Sequence, residues 1–198
     1  MRGVIATGEV SGGRASSDPR TLRTRARLRA ALLDECAGRP LDQVSLSAVA
    51  RRAGVGRATL YLHYDGLQAL AVDACADVVR EAVDALHAWT APPGPDAPPA
   101  PLAGFLTVVA GRADLYRGLI AEGGGGPLGA LLHDELRARS FADRTRAGAP
   151  SPAFAASATA AVFTGLLADW LHGRLDLSAD AFAAHVWRLL VAIHRAVR

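Results

Sequence analysis

SLSAVARRAGVGRATLYLHY, residues 45–64, decides the fold, because it spells two short helices that cross around a tight turn. Ser45 caps a helix running Leu46–Ala53, its side-chain oxygen positioned to accept an unpaired N–H of the first turn. Gly54 ends that helix, since glycine enters the left-handed conformation without a Cβ penalty. Val55 is an apolar plug inside the turn. A second helix begins at Gly56 or Arg57. Val49 and Ala53 point inward from the first helix, Ala50 is small where the second crosses it, and Leu60 carries the second helix's inward face. Arg57, Ala58, Thr59, Tyr61 and His63 are left outward or at the ends.

A second helix presented in this way fits the major groove of double-stranded DNA, its N-terminal residues nearest the bases. Arg57 is the candidate for base readout, because a guanidinium makes paired hydrogen bonds to guanine O6 and N7. Thr59 suits a thymine methyl or a phosphate. Tyr61 and His63 suit phosphates, as do Ser45 and Ser47 at the preceding helix N-terminus. Arg51 and Arg52 add positive charge beside the turn. The competing reading is a plain three-helix core with surface arginines.

Outward from this motif, Asp18-Pro19 starts a helix by a side-chain cap and a proline in the first turn. It runs to about Ala37 and stops at Gly38-Arg39-Pro40, with Leu28, Ala31, Leu32 and Cys36 facing inward. Residues 1–17 are small, polar and Gly/Ser-rich and read as a disordered arm. The net charge is only +3, but it is unevenly placed. Residues 14–64 hold ten arginines and four acids, whereas residues 65–198 hold eleven arginines and fourteen acids. A basic N-terminal third in an otherwise acidic chain points to a polyanion partner.

Past Tyr64, Asp65-Gly66 opens a long helix to about Trp89. Residues 91–101, APPGPDAPPAP, read as a stiff extended connection because proline recurs every few positions. Helical stretches follow near 102–111, 113–122, 127–146, 152–173 and 179–197. No alternating strand pattern or internal repeat appears, so the fold class is all-α. The domain division expected is an arm (1–17), a helix-turn-helix DNA-binding domain (18–65) and a helical ligand-binding and dimerisation domain (66–198).

Residues 48–70, AVARRAGVGRATLYLHYDGLQAL, resemble the signature of the tetracycline-repressor (TetR) family. Ala50, Ala53, Gly54, Val55, Thr59, Leu60, Tyr61, His63 and Leu70 match, and Tyr64 stands where the family has Phe. The resemblance covers about residues 20–72. It implies about nine helices, a homodimer paired through the last two long helices, and a C-terminal pocket whose effector releases the protein from a palindromic operator. Three departures stand out. Gly56 replaces the usual Ser or Thr cap of the recognition helix, Ala58 stands where glycine is frequent, and Leu67 replaces a lysine that anchors a phosphate. DNA binding is therefore expected to lean on Arg51, Arg52, Arg57 and the arginines before and within the first helix.

In the C-terminal half, Ala158, Val162, Gly165 and Leu166 on one apolar helix, with Phe182, Val186, Leu189 and Ile193 on the next, make stripes suited to an intersubunit four-helix bundle. The alternative is that they finish the subunit's own core. Phe105, Tyr116, Leu119, His133, Phe163, Leu167 and Trp170 are candidates for a pocket that takes a hydrophobic or aromatic effector. His133 with Asp134, and His172 with Asp169, are two-ligand pairs without a third partner at helical spacing, so no metal is expected.

Other classes are disfavoured. Gly123–Gly126 precedes proline rather than lysine, so it is no phosphate loop, and no nucleophile–base spacing suggests an enzyme. No cofactor is implied. Cys36 and Cys75 are too few for a disulfide framework and read as buried packing thiols, with a redox sensor as the minor alternative. No apolar run reaches the roughly 18–20 residues of a membrane span, and a cytoplasmic location is expected. A helical adaptor that uses its dimer face without DNA, an activator, and a repressor requiring its ligand remain open alternatives.

Overall fold

The computed structural model describes residues 18–87 and 97–196. Among them every regular element is helical, with nine α-helices. The arm 1–17, Trp89 and most of the proline-rich connection lie outside the described residues.

The first helix, α1 (Pro19–Glu35), starts where Asp18 accepts a hydrogen bond from the Arg20 N–H at 3.0 Å, with Pro19 in the first turn. A short 3₁₀ turn, Leu41–Gln43, leads into α2 (Leu46–Ala53) and α3 (Arg57–Tyr61). Next comes α4 (Leu67–His87), followed by α5 (Ala100–Gly111) and α6 (Ala113–Leu119). Pro101 sits in the first turn of α5, where its missing N–H has no intrahelical partner to lose. The helix therefore begins inside the stretch read from sequence as extended.

After α6 the chain turns through Glu122–Gly124 and enters α7 (Gly126–Arg146). The sequence places helix to residue 122, but α6 ends three residues earlier. Gly123 and Gly124 both take positive φ there, and a Cβ on Gly124 would lie 2.9 Å from the Thr164 backbone. The glycine run lets this turn lie directly on the following helix, α8 (Pro152–Leu171). The last helix is α9 (Ala179–Ala196).

One continuous apolar core joins both halves. Leu28, Ala31 and Leu32 of α1 meet Val49, Ala53 and Leu60 of the paired short helices and Leu70 and Ala74 of α4. Farther along, α4 packs on α7, and α7 makes its most extensive contact with α8. Phe105 meets Phe163 with ring centroids 6.4 Å apart, and Trp170 stacks on Phe182 at 4.8 Å. Among the described helices α8 alone has the length and apolarity of a membrane span, yet much of it is buried against its neighbours.

Candidate nucleic-acid interface

The turn between α2 and α3 is closed from within. Ser45 Oγ accepts from the Ala48 N–H at 3.2 Å, capping α2. At the other end Gly54 sits at φ 60, its N–H donating to Arg51 O and the Val55 N–H to Ala50 O at 2.9 Å. These two bonds satisfy carbonyls that the helix end leaves unpaired. Arg27 of α1 reaches the turn, its Nη2 donating to Gly54 O at 3.2 Å. A Cβ on Gly54 would fall 2.8 Å from that nitrogen, so contact and φ both call for glycine.

The recognition helix α3 spans five residues, of which only Leu60 is buried. Its burial is worth about 1.5–3 kcal/mol. Arg57 and Ala58 are exposed, Tyr61 keeps 46% of its surface open, and Thr59 and His63 are half-buried. The Arg57 guanidinium lies 5.8 Å from the Tyr61 ring centroid, so cation and ring share one outward face. Gly56 occupies the N-cap with no side-chain hydrogen bond. Ser47 and Arg51 are exposed on α2. Leu62, 83% exposed just beyond α3, was not singled out by sequence reasoning.

Not every arginine near the motif is free to meet a phosphate. Arg52 donates through Nε to the Glu35 carboxylate at 2.5 Å, and Arg39 pairs with the same group. That carboxylate is buried at the end of α1, with 4% of its side chain exposed. Within α1, Arg25 bonds Asp73 at 2.8 Å and Arg29 bonds Asp77 at 2.6 Å, both acids on α4. Arg25 also donates to the Tyr64 hydroxyl at 3.2 Å, and that hydroxyl donates to Asp73 at 2.5 Å. Burial, reinforced by the bond to Asp73, pushes the Tyr64 phenol up to about 12. These arginines brace the motif on α4. Their acidic partners Asp73 and Asp77 lie 48 positions away in the chain, out of reach of any local sequence pattern.

The candidate pocket residues lie within the C-terminal core. Phe105, Tyr116, Leu119, Phe163 and Leu167 are buried, while His133 and Trp170 are half-buried. Trp170 donates to Leu177 O at 2.8 Å. Tyr116 and Cys75 are neighbours in this core, and burial raises both groups, the thiol to about 11. Cys36 is likewise raised by burial. Thiols held protonated are poor nucleophiles. A separate open cleft of about 390 Å³ lies where the two halves meet, between Leu41 and Asp42, Leu67 and Gln68, and Asp114 and Arg117.

On the outer surface, Ala158, Val162, Gly165 and Leu166 are half-exposed along α8, with Ile193 half-exposed and Leu189 41% exposed on α9. Phe182 and Val186 instead face the subunit's own core.

Residues 28–74 match the family model of bacterial regulatory proteins of the tetR family. No curated protein sequence matches the chain. The crystal structure of the TetR family repressor AlkX from Dietzia sp. strain DQ12-45-1b is similar, with 20% identity over 94% of this chain and 99% of that one, at a TM-score of 0.62. A TetR transcriptional regulator from Rhodococcus sp. RHA1 covers 90% of this chain and 99% of its own at 18% identity and the same TM-score of 0.62. FadR, a fatty acid degradation regulator from Bacillus halodurans, aligns at 14% identity over 84% of this chain and 97% of that one, at a TM-score of 0.53. At these identities the likeness is one of fold.

Proposed function

From the match of residues 28–74 to the tetR-family model we propose that this chain is a homodimeric repressor of that family, released from a palindromic operator by a small apolar or aromatic effector. The observation that carries the DNA reading is α3 itself. Its Arg57 and Tyr61 lie on one open face, while Leu60 alone ties it to the core. Residues 18–65 are then the reading domain, and residues 66–198 the domain that pairs subunits and holds the effector, working in the cytoplasm beside the DNA.

Arg57 reads a base, with Tyr61, His63, Ser47 and Arg51 holding phosphates around it. Ser45, as the cap of α2, orients backbone N–H groups toward the same strand. Gly56, Ala58 and Thr59 let the helix approach the groove closely. Pairing uses the half-open stripe of Ala158, Val162, Gly165 and Leu166 with Leu189 and Ile193, whose small residues allow close helix approach. AlkX is implicated in biodegradation of n-alkanes and FadR is a regulator of fatty acid degradation, which supports an apolar effector. An effector acts only through its preference for the released arrangement. The α4 helix, bonded to α1 and packed on α7, is the element that both sites bias.

Selection of binding sites from a random duplex library tests this reading. The wild-type chain enriches an inverted repeat. Arg57→Ala relaxes one symmetric position and costs about 1–3 kcal/mol per contact. A folded dimer that enriches no sequence overturns the proposal.

A further inference from the structure

We infer that Leu62, with Ala58 one turn before it, forms an apolar ridge on α3 that reads thymine C5-methyl groups in the major groove of each operator half-site. The inference rests on the proposed DNA reading and names a base that it selects. Among the described residues no large apolar side chain is more exposed than Leu62, at 83%. Its backbone is helical, with φ −72 and ψ −18, and its N–H donates to Ala58 O and Thr59 O, each at 3.2 Å. The turn continues through the His63 and Tyr64 N–H groups, both bonded to Leu60 O. Leu62 therefore keeps the register of α3.

Leu60, fully buried, fixes which way each neighbour points. Ala58 and Leu62 stand two positions to either side of it, so both come round about 160° from the core and share the outermost ridge. Arg57 and Tyr61 fall on one flank of that ridge, Thr59 and His63 on the other. The burial agrees, since Ala58 and Leu62 are exposed while Thr59 and His63 are half-buried. Thr59, whose methyl also suits thymine, is thus turned away from the outermost position. The helix presents an apolar crest between polar and aromatic flanks. The major groove has the matching order: phosphates line its walls, and the one apolar group on its floor is the thymine methyl. Charge around the crest names the same occupant. Residues 43–64 hold Arg51, Arg52 and Arg57 and no acid, and Arg51 and Arg57 stay exposed. Such a border draws a polyanion onto the ridge.

The test starts from the inverted repeat that the full wild-type chain selects, labelled for fluorescence anisotropy. Its thymines are replaced one at a time by deoxyuridine, which removes the methyl and leaves every hydrogen-bonding group in place. At one or more thymines of each half-site the wild type loses about fourfold in affinity per methyl, the factor for burying one CH₂ group. Leu62→Ala binds the thymine operator more weakly, and at one such position it no longer distinguishes thymine from deoxyuridine. Its unfolding temperature matches wild type, because the side chain it shortens is outside the core. Deoxyuridine that serves as well as thymine everywhere overturns the methyl reading and leaves DNA binding standing. So does a Leu62→Ala chain that discriminates as wild type does, that is weakened equally on both bases, or that binds as tightly as wild type. A folded dimer that selects no repeat fails at the earlier step and takes the DNA reading with it.

Discussion

The Tyr64 hydroxyl donates to Asp73 Oδ2 at 2.5 Å, and Arg25 closes the triangle by bonding both groups and lying 5.4 Å from the Tyr64 ring centroid. The end of the helix-turn-helix, the first helix and the long connecting helix are thereby fixed to one another. The Tyr64 phenol, held neutral by burial to about 12, contributes stability that is complete below its unfolded pKa of about 10 and is lost as pH rises through about 12. Tyr64→Phe should cost about 1–2 kcal/mol at neutral pH. It should also flatten the loss of stability between those two pH values, as read by urea unfolding across pH. An alkaline profile identical to wild type counts against the triangle.

Gly56→Ser supplies the cap that the recognition helix lacks. The position already has extended backbone, φ −63 and ψ 144, and a Cβ there meets only Thr59 Oγ1 at an ordinary 3.7 Å. The substitution should raise stability by about 0.3–0.5 kcal/mol. Tighter binding to a selected operator, with a steeper salt dependence, follows if the new hydroxyl also meets a phosphate. A destabilised variant would mean that the packing of the turn requires the bare backbone, and weaker operator binding would mean that the approach to DNA does.

Glu35→Gln removes a buried charge that holds two arginines, Arg39 and Arg52. It should destabilise the chain by about 1–3 kcal/mol. Freed from its partner, Arg52 can turn to the DNA backbone, so the log–log salt slope of binding should steepen by about 0.9. Fluorescence anisotropy of a labelled operator at graded salt reads the slope. An unchanged slope would show that Arg52 stays on the protein in both forms.

The helices were legible where a local signal carries the physics. The Asp18-Pro19 start, the Ser45 cap and the Gly54 stop fall where the structure has them, because each acts within one turn of its own residue. The end of α6 was overestimated because the glycine run bends against α8, a contact distant in sequence. The ion pairs of Arg25, Arg29 and Arg52 are invisible for the same reason, since their acidic partners lie 17 to 48 positions away. Periodicity marked an apolar face on α9 but not which way it points, and Phe182 and Val186 turn inward to the subunit core while Leu189 stays open.

Because a single buried leucine seats the recognition helix, its outward side chains are nearly uncoupled from folding. On the function proposed above, changes at Arg57, Ala58 or Tyr61 would redirect the molecule to a new operator while the scaffold stays intact. In such a design, address and architecture evolve on separate tracks, and a duplicated copy can acquire a new set of genes before it loses its shape.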